Sequence, residues 1–181
     1  MKVKSIFLVL AVMALGLGLL SSCAATKTNP AVETLADSII DSIEIKAAPA
    51  KVFNFLAEPM SLTAYYPNMK SVTDVQGQGL GATYNWTLDR QGKIIIGQAV
   101  CTDYVPNQKL VFFTSLPNAT VLESWTFLIA PTPNGGTRLT AVMQSVAENP
   151  AMTPSDRQAV AKAFRHEVQT VLNNIKTEVE K

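Results

Sequence analysis

Chemistry-bearing residues are scarce in this chain. Its 181 residues hold two cysteines and one histidine, so no Cys/His cluster with zinc-ligand spacing can be drawn. His166 falls off the apolar face of its segment and reads as a solvated residue. An excess of charge is also missing: 15 Lys+Arg face 14 Asp+Glu, and nucleic acid would require a basic face. No nucleophile elbow appears. The one glycine-rich stretch, "GQGLG" at Gly77 to Gly81, has no helix after it to bind a phosphate. Internal repeats and low-complexity tracts are absent.

Long hydrophobic runs are missing except for one, and that one is placed informatively. Lys2 and Lys4 precede an uncharged run from Ile6 to Leu20. A basic start followed by an apolar stretch of about 7–15 residues is the pattern of a secretory leader. The run is short for a spanning helix, which needs about 20 apolar residues, and Gly16 and Gly18 interrupt it. Leu20-Ser21-Ser22-Cys23 follows, a branched apolar residue, two small residues and a cysteine. It resembles the lipobox of bacterial lipoproteins, which implies cleavage before Cys23 and a diacylglyceryl group on its sulfur. Each buried acyl methylene contributes about 0.8 kcal/mol, and stable anchoring takes more than one chain. Ala24, where aspartate would signal inner-membrane retention, favours the outer membrane facing the periplasm if the source is Gram-negative. The expected organisation is a leader over 1–22, a lipidated N-terminus and tether over 23–37, and one domain over 38–181. Losing Lys2 and Lys4 changes the net charge from +1 to −1. Cys101 is then the only thiol besides the anchor, so the monomer has no internal disulfide, and Cys101 reads as a small core residue.

Within the domain, Ile43 and Ile45 alternate with Glu44 and Lys46, the pattern of a half-buried strand. Pro49 suits a helix first turn, with Val52, Phe53 and Leu56 at helical spacing. "MSLTAYYPNM" reads as a second short helix or turn. Strand patterns then recur with turns between them, Gly97 marking an expected bend or bulge and "NGG" at Asn134 to Gly136 a hairpin. Thr153-Pro154 opens a long uninterrupted segment in which Val160, Phe164, Val168, Val171, Ile175 and Val179 form one stripe. The expectation is an α+β fold, a seven-stranded antiparallel sheet with two short helices after the first strand and a long C-terminal helix.

That order resembles the helix-grip fold of the START-like, or SRPBCC, superfamily, which includes polyketide cyclases and dehydrases and lipid-transfer domains. Ala48-Pro49, Val52-Phe53, Phe55-Leu56 and Tyr66-Pro67 carry the opening of the resemblance, and Trp125-Thr126-Phe127 through Gly136-Thr137-Arg138-Leu139-Thr140 the late hairpin. It implies a curved sheet gripping the long helix, with a cavity between them. The strand alternation then nominates Tyr84, Trp86, Leu88, Glu123, Trp125, Phe127, Leu139 and Met143 as its walls. Phe112 or Phe113 joins them according to register, and Phe164 and Val168 close the cavity from the helix. Glu123 is the exception among apolar neighbours: burial would raise its pKa. It would bind a polar head or pair with a tyrosine, Arg138 or Arg165.

Three function classes follow. The leading one is an envelope-anchored module that binds or carries a hydrophobic small molecule or lipid, without cofactor or metal. The second is a cyclase- or dehydrase-type enzyme using Glu123 with Tyr84 or Tyr104 for proton transfer. The third is a protein-interaction module with a collapsed cavity. The oligomeric state is not legible. In a lipoprotein-processing bacterium fed labelled palmitate, the chain is expected to take up label and the Cys23→Ser variant to lose it; equal labelling would remove the anchor.

Overall fold

The computed structural model describes residues 38–116, 122–146 and 153–181. The leader, Cys23 and the tether lie outside the described residues. The elements run β1 (Ile39–Ile45), α1 (Pro49–Ala57), a 3-10 turn (Pro59–Ser61) and α2 (Leu62–Tyr65). They continue through β2 (Met69–Gln76), β3 (Thr83–Arg90), β4 (Lys93–Val105), β5 (Lys109–Ser115), β6 (Leu122–Pro131) and β7 (Thr137–Val146) to α3 (Pro154–Val179). The expected seven strands, two short helices and long final helix are all present.

The strands form one antiparallel sheet in the order β1-β7-β6-β5-β4-β3-β2. From β1 at one edge, the chain crosses through α1 and α2 to β2 at the other edge. It then returns as a meander until β7 pairs with β1. Local chemistry explains the turns. Gln91 and Gly92 both take positive φ between the paired Arg90 and Lys93, the two-residue hairpin turn that matches strand twist. Asp89 Oδ1 accepts from Gly92 N at 2.8 Å. Edge strand β2 has two register shifts and positive φ at Asp74, irregularities that discourage edge-to-edge pairing.

Gly97 corrects the sequence expectation. Its strand pairs regularly there, opposite Trp86, and the β4 irregularity lies between Cys101 and Asp103 instead. The glycine is required for space: a Cβ would sit 2.1 Å from the Trp86 indole.

Pro49 occupies the first turn of α1, whose Val52, Phe53 and Leu56 are buried. Helix α3 begins at a capping box between Thr153 and Asp156, two orphan backbone donors satisfied reciprocally. At 1.5 Å per residue its 26 residues span about 39 Å. Its buried stripe is Val168, Val171, Leu172, Ile175 and Val179, while Val160 and Phe164 near its start are only half-buried. The helix packs mainly on β1, β7 and α2. Its last turns are tied to β1 by Lys176 Nζ to Glu44 O at 2.7 Å and by Lys46 N to Glu180 Oε1 at 2.6 Å.

Ile175 is fully enclosed at 0% exposure. Ile175→Ala is expected to lower the unfolding free energy by about 2–5 kcal/mol, read from urea denaturation. A loss within experimental error would mean α3 does not hold the sheet.

Candidate functional site

Strand register places the inward side chains in rows. One row runs Tyr84, Ala99, Thr114, Glu123, Ser145 across β3 to β7. The next runs Cys101, Phe112, Trp125, Met143. On the inner face of β4, Ile95 is followed by Gly97, Ala99 and Cys101, three small side chains flanked by large ones. A hollow opens beside them. It is lined from β3 by Tyr84, Trp86, Leu88 and Arg90, from β5 by Phe112 and Thr114, and from β6 by Glu123, Trp125 and Phe127. The opposite wall is Leu62 and Tyr65 of α2, followed by Tyr66 and Met69.

Seven sequence candidates meet here: Tyr84, Trp86, Leu88, Phe112, Glu123, Trp125 and Phe127. Register settles the phenylalanine choice: Phe112 pairs with Trp125 on the inner face, while Phe113 points outward and is 37% exposed. Leu139, Met143, Phe164 and Val168 do not line the hollow. Leu139, Met143 and Val168 are sealed at 0–1% exposure in the packing beneath α3, and Phe164 rests half-buried against that core. The cavity expected under the C-terminal helix therefore lies instead between the sheet and α2. The buried α3 stripe is taken up by its packing on β1, β7 and α2. Tyr104 is also elsewhere, edge-on to Phe53 at 5.0 Å and outside this cavity.

The walls are aromatic and interlocked. Trp125 stacks on Phe127 at 6.0 Å and 23°. Tyr66 meets Trp125 edge-on at 5.8 Å, and Tyr65 meets Phe127 at 6.4 Å, geometries that suit the ring quadrupoles. The cavity is partly open to solvent and measures about 80 Å3, below the roughly 300–1,000 Å3 of drug-sized sites.

Polar groups gather at one end. The Tyr66 hydroxyl donates to Glu167 Oε1 of α3, and Arg90 Nη2 lies 3.5 Å from Glu167 Oε2. Burial raises the Tyr66 pKa well above the ordinary phenol value, reinforced by Glu167 and Glu123. Burial likewise raises Glu123, and the Glu167 charge adds to it; Arg90 and a hydrogen bond with Trp125 oppose the shift. Glu123 thus neighbours Tyr66, Glu167 and Arg90. Of its expected partners, Arg138 is committed to Glu44 at 3.0 Å on the outer face. Sequence reasoning did not single out Glu167 or Arg90, because nothing local marks either as inward. The small-residue alternation Gly97-Ala99-Cys101 was the available signal for the hollow. Trp86 Nε1, in the cavity wall, and Ser145 Oγ, beside Glu123 in the sheet, are buried without a hydrogen-bond partner among the described residues.

No group of three or more His, Cys, Asp or Glu among the described residues is arranged to hold a metal. No described helix is long and apolar enough to cross a membrane.

Because the folded chain keeps the Glu123 proton to higher pH than the unfolded chain, it binds more protons between the two pKa values. Its stability contribution therefore falls as pH rises from about the ordinary 4.5 through the raised value. Wild type is expected to lose stability relative to Glu123→Gln across that window, measured by urea midpoints at successive pH values. A pH-independent difference would show that the carboxyl is not desolvated.

Residues 37–180 match the family described as polyketide cyclase / dehydrase and lipid transport. No match to a curated protein is found. Among solved structures, the Zhui aromatase/cyclase from Streptomyces sp. R1128 superposes with a TM-score of 0.65 at 16% identity, over 79% of this chain and 93% of that one. TTHA0849 from Thermus thermophilus gives 0.64 at 18% identity, over 78% and 96%. Ara h 8.0201 gives 0.62 at 17%, also over 78% and 96%. At these identities the likeness is one of fold. With the family match spanning nearly the whole described domain, the chain belongs to the polyketide cyclase / dehydrase and lipid transport family.

Proposed function

We propose that this protein binds or carries a hydrophobic small molecule or lipid in the hollow between its sheet and α2. The observation that carries this reading is the cavity wall: aromatic and aliphatic side chains on every side, with Glu123, Arg90 and Tyr66 together at one end. Apolar burial at roughly 25 cal/mol per Å2 supplies affinity, and the polar end orients the guest. The family description, which includes lipid transport, supports the same class of ligand. The leader and the Leu20-Ser21-Ser22-Cys23 segment add an envelope location to the proposal, with the domain lipid-anchored and facing the periplasm in a Gram-negative cell.

A specific observation also favours the second reading, a cyclase- or dehydrase-type enzyme. The Glu123 carboxyl sits in an apolar cavity that raises its pKa above the ordinary carboxylate value, the direction in which a carboxyl becomes better suited to proton transfer. Tyr84 shares that cavity; Tyr104 does not, and drops out as its partner. Glu123→Gln separates the readings, since a carrier keeps its ligand exchange while an enzyme keeps binding and loses turnover.

The chain's two tryptophans, Trp86 and Trp125, both line the cavity. Ligand entry is therefore expected to change intrinsic emission. Detergent-free preparations should yield an extractable apolar compound by mass spectrometry, and adding it back to stripped protein should shift tryptophan emission saturably. Repeatedly empty extracts, with no emission change on titrating 1-anilinonaphthalene-8-sulfonate, would overturn the proposal.

A further inference from the structure

We infer that the ligand site has two chambers joined through the Tyr84–Phe112 ring pair, and that it takes an elongated apolar molecule with its polar group at the Glu123 end. This inference rests on the binding reading above and specifies its ligand. A second cavity of about 250 Å3 lies on the other side of those rings. Its walls include Ala57 at the end of α1, Ala82 and Cys101 on the sheet, and Leu110 and Tyr104, with Gly77 to Gly79 at the rim. Tyr84 and Phe112 line both cavities. Their rings meet edge-on, centroids 6.2 Å apart at 64°, so the two cavities have this pair of side chains as a common wall.

Size argues for joining them. At about 80 Å3 the first chamber is too small for a typical organic ligand, and at about 250 Å3 so is the second. Only together do they enter the range of roughly 300–1,000 Å3. The Glu123 chamber holds the carboxyl, the Arg90 guanidinium and the orphan Trp86 indole N–H. Past the ring pair, Ala82, Cys101 and Leu110 form a buried apolar wall, while Asn54, Glu58 and Gln78 bring polar groups to other parts of the lining. A molecule with one hydrogen-bonding end at Glu123 and an apolar body long enough to pass the rings and lie on that wall matches this order. No described hydrogen bond fixes the Tyr84 hydroxyl, and a rotamer change of either ring is the movement that the joined site requires.

The probe is a series of 1-alkanols from octanol to tetradecanol, titrated against the full chain and read by tryptophan emission. Wild type is expected to gain about fourfold in affinity per added methylene through the longer members. Ala82→Phe fills the far chamber, and is expected to lose at least tenfold for tetradecanol and to flatten the gain per methylene along the series. Ala57→Leu, which narrows the same chamber from α1, provides a second variant should Ala82→Phe fail to fold. An identical chain-length profile in wild type and a folded filled variant overturns the two-chamber site and leaves the binding reading standing. Absence of any response in wild type to every alkanol, with empty extracts, removes both.

Discussion

Unequal coverage of one sheet face governs this structure. The concave face of a seven-stranded sheet must be shielded from water, and the chain has one long helix and two short ones for the task. Helix α3 lies on β1 and β7, with its Val168-to-Val179 stripe fully enclosed. The face of β3 to β5 is left to α1 and α2, nine and four residues long, too little to fill it. Small inward residues on β4 deepen the deficit, and large aromatics around them convert it into bounded hollows instead of collapse.

The same arrangement sets the electrostatics. Glu123 faces inward because it shares strand parity with Trp125 and Phe127, and no lysine or arginine shares its row. Glu167 arrives from α3 one residue before the sealed Val168, close enough to accept from Tyr66 and to approach Arg90. Two carboxylates thus share one guanidinium and a phenol at the edge of an apolar space. Desolvation raises the Glu123 pKa, so its carboxyl holds a proton to higher pH than an exposed glutamate does. Fold membership alone cannot tell a carrier from a catalyst; the distinction rests on what that carboxyl does to a bound guest.

How legible was this in advance? Period-two alternation located the strands and placed Tyr84, Trp86, Glu123, Trp125 and Phe127 on one face, because a pleat allows only two choices. The same parity put Leu139 and Met143 on that face correctly, yet they serve the core. Facing inward does not decide which helix lies above. Gly97 was misread as a bend because sequence shows only that a side chain is missing, not that a neighbouring indole takes its place. The Tyr66–Glu167–Arg90 cluster joins residues from three separate segments, and no local pattern could have announced it.

The sequence by itself determined the strand and helix periods, the caps and turns that bound them, and the family to which the domain belongs, since these depend on neighbours a few residues apart. Only tertiary structure decided where the empty space lies. A cavity is the volume left after distant elements have packed. Its position under α2 instead of α3, its division by Tyr84 and Phe112, and the company Glu123 keeps all follow from how three helices of unequal length share a single curved face.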